Sequence, residues 1–182
     1  MEICLHRREI KSNRIKKDKK GYKIKMKIKF LVDEDFLNYK KASMFIGFPN
    51  CSLKCDAEAG TQCCQNSSLF KQPNIEIKSS NIIKRYMSNP ITSSVVFGGL
   101  EPFDSWEDIS DLIKLFREQT EDDIVIYTGY KEDEIEDKIN YLKQYKNIIV
   151  KFGRFVPNQE KHKDSLLGIY LASPNQYAVK IS

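Results

Sequence analysis

Three short apolar runs constrain this chain more than any other feature: SVVFGG at 94–99, DIVIYTG at 123–129 and NIIVKF at 147–152. Each is too short for a core helix and rich in β-branched residues, which marks a strand buried on both faces. Between them lie segments with helical spacing. Trp106, Ile109, Leu112, Ile113 and Phe116 fall on one face, with a start expected at Asp104 or Ser105, and Ile135, Ile139 and Leu142 fall on another. Strands alternating with helices predict parallel pairing, with functional loops at the strand C-terminal ends.

Upstream, lysines alternate with Ile, Met, Ile and Phe from Lys23 to Val32, the period of one half-buried strand. SMFIGF at 43–48 predicts a second strand that delivers the chain through Pro49 and Asn50 to Cys51. Ser79 or Ser80 is placed to cap a helix carrying Ile82, Ile83, Tyr86 and Met87, stopped before Pro90. GIYLASPNQYAVKI, at 168–181, predicts two short strands joined by a turn at Pro174 and Asn175. With 182 residues, one domain is expected over residues 24–182. No run approaches the roughly 18 apolar residues of a membrane span and no signal-peptide core is present, so a cytoplasmic protein without membrane contact is expected.

The formal charge of +5 is unevenly placed. Residues 1–29 hold twelve Lys or Arg against Glu2, Glu9 and Asp18, and the rest of the chain is net acidic. Residues 1–23 are expected to be a basic, solvated extension, and nucleic-acid affinity is expected only there. Translation from Met26 is an alternative start. His6 and His162 form no constellation and are expected to be exposed.

Cys51, Cys55, Cys63 and Cys64 lie within fourteen residues, CSLKCDAEAGTQCC. In a reducing compartment such clusters bind metal or do redox work more often than they form disulfides. Thiolates a few residues apart on a loop after a strand can converge on one centre. By spacing alone, structural zinc, an iron–sulfur cluster and unliganded or redox thiols all remain open.

Cys51 and Cys55 keep the first spacing of the C-x3-C-x2-C motif of the radical S-adenosylmethionine (SAM) superfamily. Cys64, followed by Gln65 and Asn66, resembles its third cysteine. FGGLEP (97–102) resembles the GGEP motif, IYTGY (126–130) resembles YTGY, GRF (153–155) resembles DGRF, and SPNQ (173–176) resembles SSNQ. In this order they resemble the activating enzymes of anaerobic ribonucleotide reductase, over roughly residues 24–181. The departures are the eight residues between Cys55 and Cys64, Leu100 inside GGEP, Phe152 at the DGRF acid, and Cys63 as a competing third ligand.

The resemblance implies an α/β fold of the small, incomplete (β/α) barrel type and a [4Fe-4S] cluster on Cys51, Cys55 and Cys64. Its open iron would chelate SAM, which is cleaved reductively to a 5′-deoxyadenosyl radical. Gly98, Gly99, Glu101 and Pro102 are implied to meet SAM, with Thr128, Gly129 and Asn66 as further contacts. The implied partners are a glycyl radical enzyme, approached through an open side of the barrel, and an electron donor such as flavodoxin or ferredoxin. Two alternatives stand beside this one: a radical SAM enzyme acting on a small molecule, peptide or nucleotide, and a non-catalytic zinc or iron–sulfur module.

Overall fold

A computed structural model describes residues 25–182. The basic extension, His6 and the start of the expected first strand lie outside the described residues. In chain order, β1 (Lys25–Ile28), β2 (Phe30–Asp35) and β3 (Ser43–Phe48) lead into two short helices, α1 (Lys54–Ala59) and α2 (Ser67–Lys71). Then come β4 (Ile75–Lys78), α3 (Ser79–Ser88), β5 (Ser94–Gly99), α4 (Trp106–Arg117), β6 (Asp123–Tyr127), α5 (Glu136–Leu142) and β7 (Ile148–Phe152). Three short strands finish the fold: β8 (His162–Lys163), β9 (Tyr170–Leu171) and β10 (Tyr177–Lys180).

The main sheet has six strands in the order β10-β7-β6-β5-β3-β2. β3, β5, β6 and β7 are mutually parallel, as the strand–helix rhythm predicts, while β2 and β10 run antiparallel at the two edges. These outer strands do not pair with each other, so the sheet is open and no closed barrel forms among the described residues. The core is mixed α/β and mostly sheet.

Both faces of the parallel strands are covered, which explains their unbroken apolar runs. Val95 and Phe97 pack with Ile109, Leu112, Ile113 and Phe116 of α4 and with Ile82 and Tyr86 of α3. On the opposite face Val96, Val125 and Ile149 are sealed by Tyr39, Leu167 and Leu171. The α4 face predicted from spacing is the buried one. α3 departs in detail: Lys78 rather than a serine stands at its N-cap, and Met87 is half exposed.

Two expectations are corrected. The alternation at 23–32 makes two strands, because Lys29 turns inward and is only 7% exposed. Its Nζ donates to the carbonyls of Phe70 (3.1 Å) and Gln72 (2.5 Å), and this break sends β1 to pair with β4 in a separate ribbon. The two short strands expected at 168–181 form on either side of a turn in which Gln176 N–H donates to the Ser173 carbonyl at 3.0 Å. β9 joins β8, while β10 closes onto β7. His162 therefore lies in a strand, half-buried, rather than in an exposed loop.

Among the described residues no helix is long and apolar enough to cross a membrane.

Candidate metal centre

Parallel strands bring their C-terminal ends to one edge, and three backbone bonds fasten the loops there. Leu100 N–H donates to the Phe48 carbonyl (3.2 Å), Glu101 N–H to Asn50 (2.8 Å) and Gly153 N–H to Tyr130 (3.1 Å). Cys51 follows directly. Leu53 takes a left-handed conformation (φ 54°) to start α1, and its N–H donates to Cys51 Sγ at 3.3 Å. The cysteine loop is thus partly helical, with Cys55 in the first turn of α1.

Asp56 closes the eight-residue excursion. Its Oδ1 accepts from the N–H groups of both Cys63 and Cys64 at 2.8 Å, folding the loop back on α1. The two adjacent cysteines then differ in their contacts. Cys63 Sγ donates to the Cys55 carbonyl at 3.4 Å, whereas the charge of Cys64 is felt by both Cys51 and Cys55. Cys63 in turn feels Cys55 and Cys64, so all four thiols share one neighbourhood. Among the described residues all four are free of disulfides.

Burial pushes the Cys51 thiol up to about 11, with Glu101, Asp104 and Cys64 adding to the rise. Burial raises Cys55 as well, although the nearby Arg154 guanidinium opposes it. Both are therefore protonated thiols at neutral pH until a cation displaces the proton.

Glu101 ties two loops together from a buried position, 7% exposed. Its Oε1 accepts from Phe103 N–H (3.1 Å) and Thr128 Oγ1 (2.8 Å), and its Oε2 from Gly129 N–H (2.8 Å). Burial raises its carboxyl to about 7 against the pull of these three donors. Thr128 and Gly129 are thereby held beside the cysteines. Asn66 reaches the same edge, its Nδ2 donating to the Gly99 carbonyl at 2.6 Å. Pro102 is buried in a short 3-10 turn before α4.

The glycines differ from one another. A Cβ on Gly98 would sit 2.7 Å from the Phe45 ring, and one on Gly99 2.7 Å from Gly47 Cα, so packing within the sheet already requires both. A Cβ on Gly129 would meet only ordinary contacts: Cys55 Sγ (3.6 Å), Glu101 Oε2 (3.6 Å) and Arg154 Cγ (3.7 Å). Gly129 therefore leaves a small cradle between a candidate ligand, a carboxylate and a guanidinium. Cys51, Cys55, Glu101, Gly129, Tyr130 and Arg154 border a narrow cavity here, and Cys55 and Arg154 also wall a second cavity of about 580 Å³.

Sequence reasoning took GRF only as a motif match and did not single out Arg154. This side chain is 4% exposed. Its Nη2 pairs with Glu134 Oε1 at 2.6 Å, and its Nη1 faces Glu58 Oε1 at 3.3 Å. The Arg154 guanidinium holds Glu134 down at about 2. Nε and Nη1 are both buried with no hydrogen-bond partner. The SPNQ turn supports this residue from behind: Asn175 Nδ2 donates to the Arg154 carbonyl (2.8 Å) and Gln176 Nε2 to Gly153 (3.3 Å).

Lys151 was also missed, since a lysine in NIIVKF reads as an edge residue. It is buried and donates to the Gly153 carbonyl at 3.0 Å, and burial lowers its ammonium from 10.5 to about 8. The unfolded chain therefore binds the extra proton between these values, and stability should rise with pH across that window. Relative to Lys151→Met, the parent should gain up to about 3 kcal/mol between pH 7 and 10.5 in denaturant titrations. A parallel pH dependence of the two proteins would contradict this.

The residues at this edge fit a thiolate-ligated cluster. Cys51 and Cys55 border one cavity with Gly129 and Arg154, and Gly129 leaves room beside the Cys55 sulfur. Among the described residues no three His, Cys, Asp or Glu side chains are grouped to hold a single metal ion. A tetrahedral zinc with bonds of 2.3 Å needs its sulfurs only about 4 Å apart, whereas a four-iron cube spreads its ligands over separate corners.

A family model described as a 4Fe-4S single cluster domain matches residues 38–176, which include all four loop cysteines and the whole of this edge. No curated protein and no solved structure matches the chain.

Proposed function

Since the chain belongs to the 4Fe-4S single cluster domain family, a family found in radical SAM enzymes, we propose that Cys51, Cys55 and Cys64 hold the cluster and that the protein cleaves SAM. The observation that carries this reading is the hydrogen bond of the Cys63 thiol to the Cys55 carbonyl at 3.4 Å, which leaves Cys64 as the third thiol beside Cys51 and Cys55. Three thiolates leave one iron without a protein ligand. When bound, such a cluster supplies the electron that splits SAM into methionine and a 5′-deoxyadenosyl radical, the species that takes hydrogen from a substrate.

The chain's own residues orient and exclude. The strand ends at Gly98 and Gly99 let backbone approach a ligand closely. Glu101 joins the turn after β5 to Thr128 and Gly129, so the two walls of the site keep one spacing. Asn66 pins the returning cysteine loop onto Gly99. The open sheet is, in this reading, an arc of an incomplete (β/α) barrel.

The substrate we propose is a glycine in a partner anaerobic reductase, with flavodoxin or ferredoxin as electron donor. It is supported by the order of FGGLEP, IYTGY, GRF and SPNQ along the chain. A second reading, a small-molecule or peptide substrate, is favoured by the cavity of about 580 Å³, which shares Cys55 and Arg154 with the site and lies in the usual size range for ligand pockets.

Anaerobic reconstitution with iron and sulfide, followed by reduction with SAM present, should yield 5′-deoxyadenosine and methionine in equal amounts. An iron–sulfur chromophore without SAM cleavage would refute the radical step and leave an iron–sulfur module.

A further inference from the structure

We propose that the buried Arg154 guanidinium, whose stem lies beside Cys55, sets the reduction potential of the cluster; this rests on the reading of Cys55 as a ligand. Cys55 Sγ and Arg154 Cγ both lie within 3.7 Å of the point a Gly129 Cβ would occupy, so the guanidinium stem and the sulfur flank one small space. Both residues also border the same two cavities.

Two of the three guanidinium nitrogens face carboxylates from different elements. Glu134 approaches Nη2 from the turn before α5, and Glu58 approaches Nη1 from α1. These ion pairs fix the plane of the group. Nε and Nη1 are both buried without a hydrogen-bond partner, although Nη1 lies within ion-pair distance of Glu58, and a buried donor without an acceptor costs free energy that an incoming sulfur acceptor removes. Hydrogen bonds to cluster sulfurs and nearby positive charge both stabilise the more negative, reduced state, which raises the potential.

The two acids give the proposal its internal control. Glu134 is held strongly and serves Lys54 as well, at 3.1 Å. The Glu58 side chain is 53% exposed and pairs only through Nη1, so removing its charge perturbs packing least. The arginine charge is then less compensated.

The test is a redox titration of reconstituted protein, followed by the electron paramagnetic resonance signal of the reduced cluster, on the parent, Arg154→Gln, Arg154→Lys and Glu58→Gln. Iron and sulfide content is measured for each. Arg154→Gln should move the midpoint to more negative values, Arg154→Lys should move it less, and Glu58→Gln should move it the opposite way. A merely structural arginine would give either no shift or shifts of one sign in all three.

Equal midpoints at equal iron content overturn the proposal while leaving the cluster reading intact. If Arg154→Gln does not retain iron, the other two variants decide, and unchanged midpoints in both overturn it. A parent that takes up no iron or sulfide overturns the cluster reading and this proposal together.

Discussion

Replacing Cys64 by Ala should abolish cluster uptake, whereas Cys63→Ala should retain iron and sulfide at the parent level. The contrast between two adjacent cysteines follows from Asp56. One carboxylate oxygen accepts both backbone N–H groups, which fixes the backbone of the two cysteines where the segment returns to α1. Cys63 then faces the Cys55 carbonyl, and Cys64 is the one whose charge reaches Cys51. Cys51→Ala and Cys55→Ala should behave as Cys64→Ala does. Iron and sulfide analysis after anaerobic reconstitution, together with the visible charge-transfer bands, measures the outcome. Retention of a full cluster by Cys64→Ala would mean that Cys63 can replace it, and loss of the cluster in Cys63→Ala would point to a four-cysteine centre.

The second large effect concerns the sheet rather than the thiols. Gly99→Ala should lower stability by about 4 kcal/mol, combining a left-handed backbone position with overpacking. Gly99 has φ +84°, and its added Cβ would lie 2.7 Å from Gly47 Cα and 3.0 Å from Phe48 N, neither of which can rotate away. Gly60 is the matched comparison, since it has φ +64° but nothing within 4 Å of the added carbon. Gly60→Ala should therefore cost only about 1 kcal/mol. Urea denaturation of the two variants separates the clash from the backbone conformation. Equal losses would show that the approach of β5 to β3 is not as tight as the register implies.

The parts of this fold that could be read from the sequence are those whose cause is local. β3, β5, β6 and β7 announce themselves because strands buried on both faces must be continuously apolar, and α4 because one stripe of it is buried. The break at Lys29 could not be read. Lys27 and Lys29 look alike in an alternating pattern, and the acceptors that draw Lys29 inward lie at Phe70 and Gln72, more than forty positions away. α1 escaped for the opposite reason: it has no buried residue and hence no apolar face to betray it.

The site divides in the same way. Cys51, Cys55, Cys64, Glu101, Thr128, Gly129 and Asn66 are named only through the family resemblance of their motifs, and the parallel register brings the loops that carry them to one edge. Their individual duties were not legible. Glu101 spends both carboxylate oxygens on neighbouring loops, and Gly98 and Gly99 are required by Phe45 and Gly47. Arg154 acquires its importance from Glu58 and Glu134, which approach from separate elements, and no spacing in the chain connects the three.

Neither α1 nor α2 buries a single residue, and Lys29, Asn66, Asp56 and Arg154 tie down the segment around them through polar contacts. The harbour for the iron is thus moored to a hull that floats without it. A cysteine loop held this way can let go of its metal without taking the strands and their helices apart.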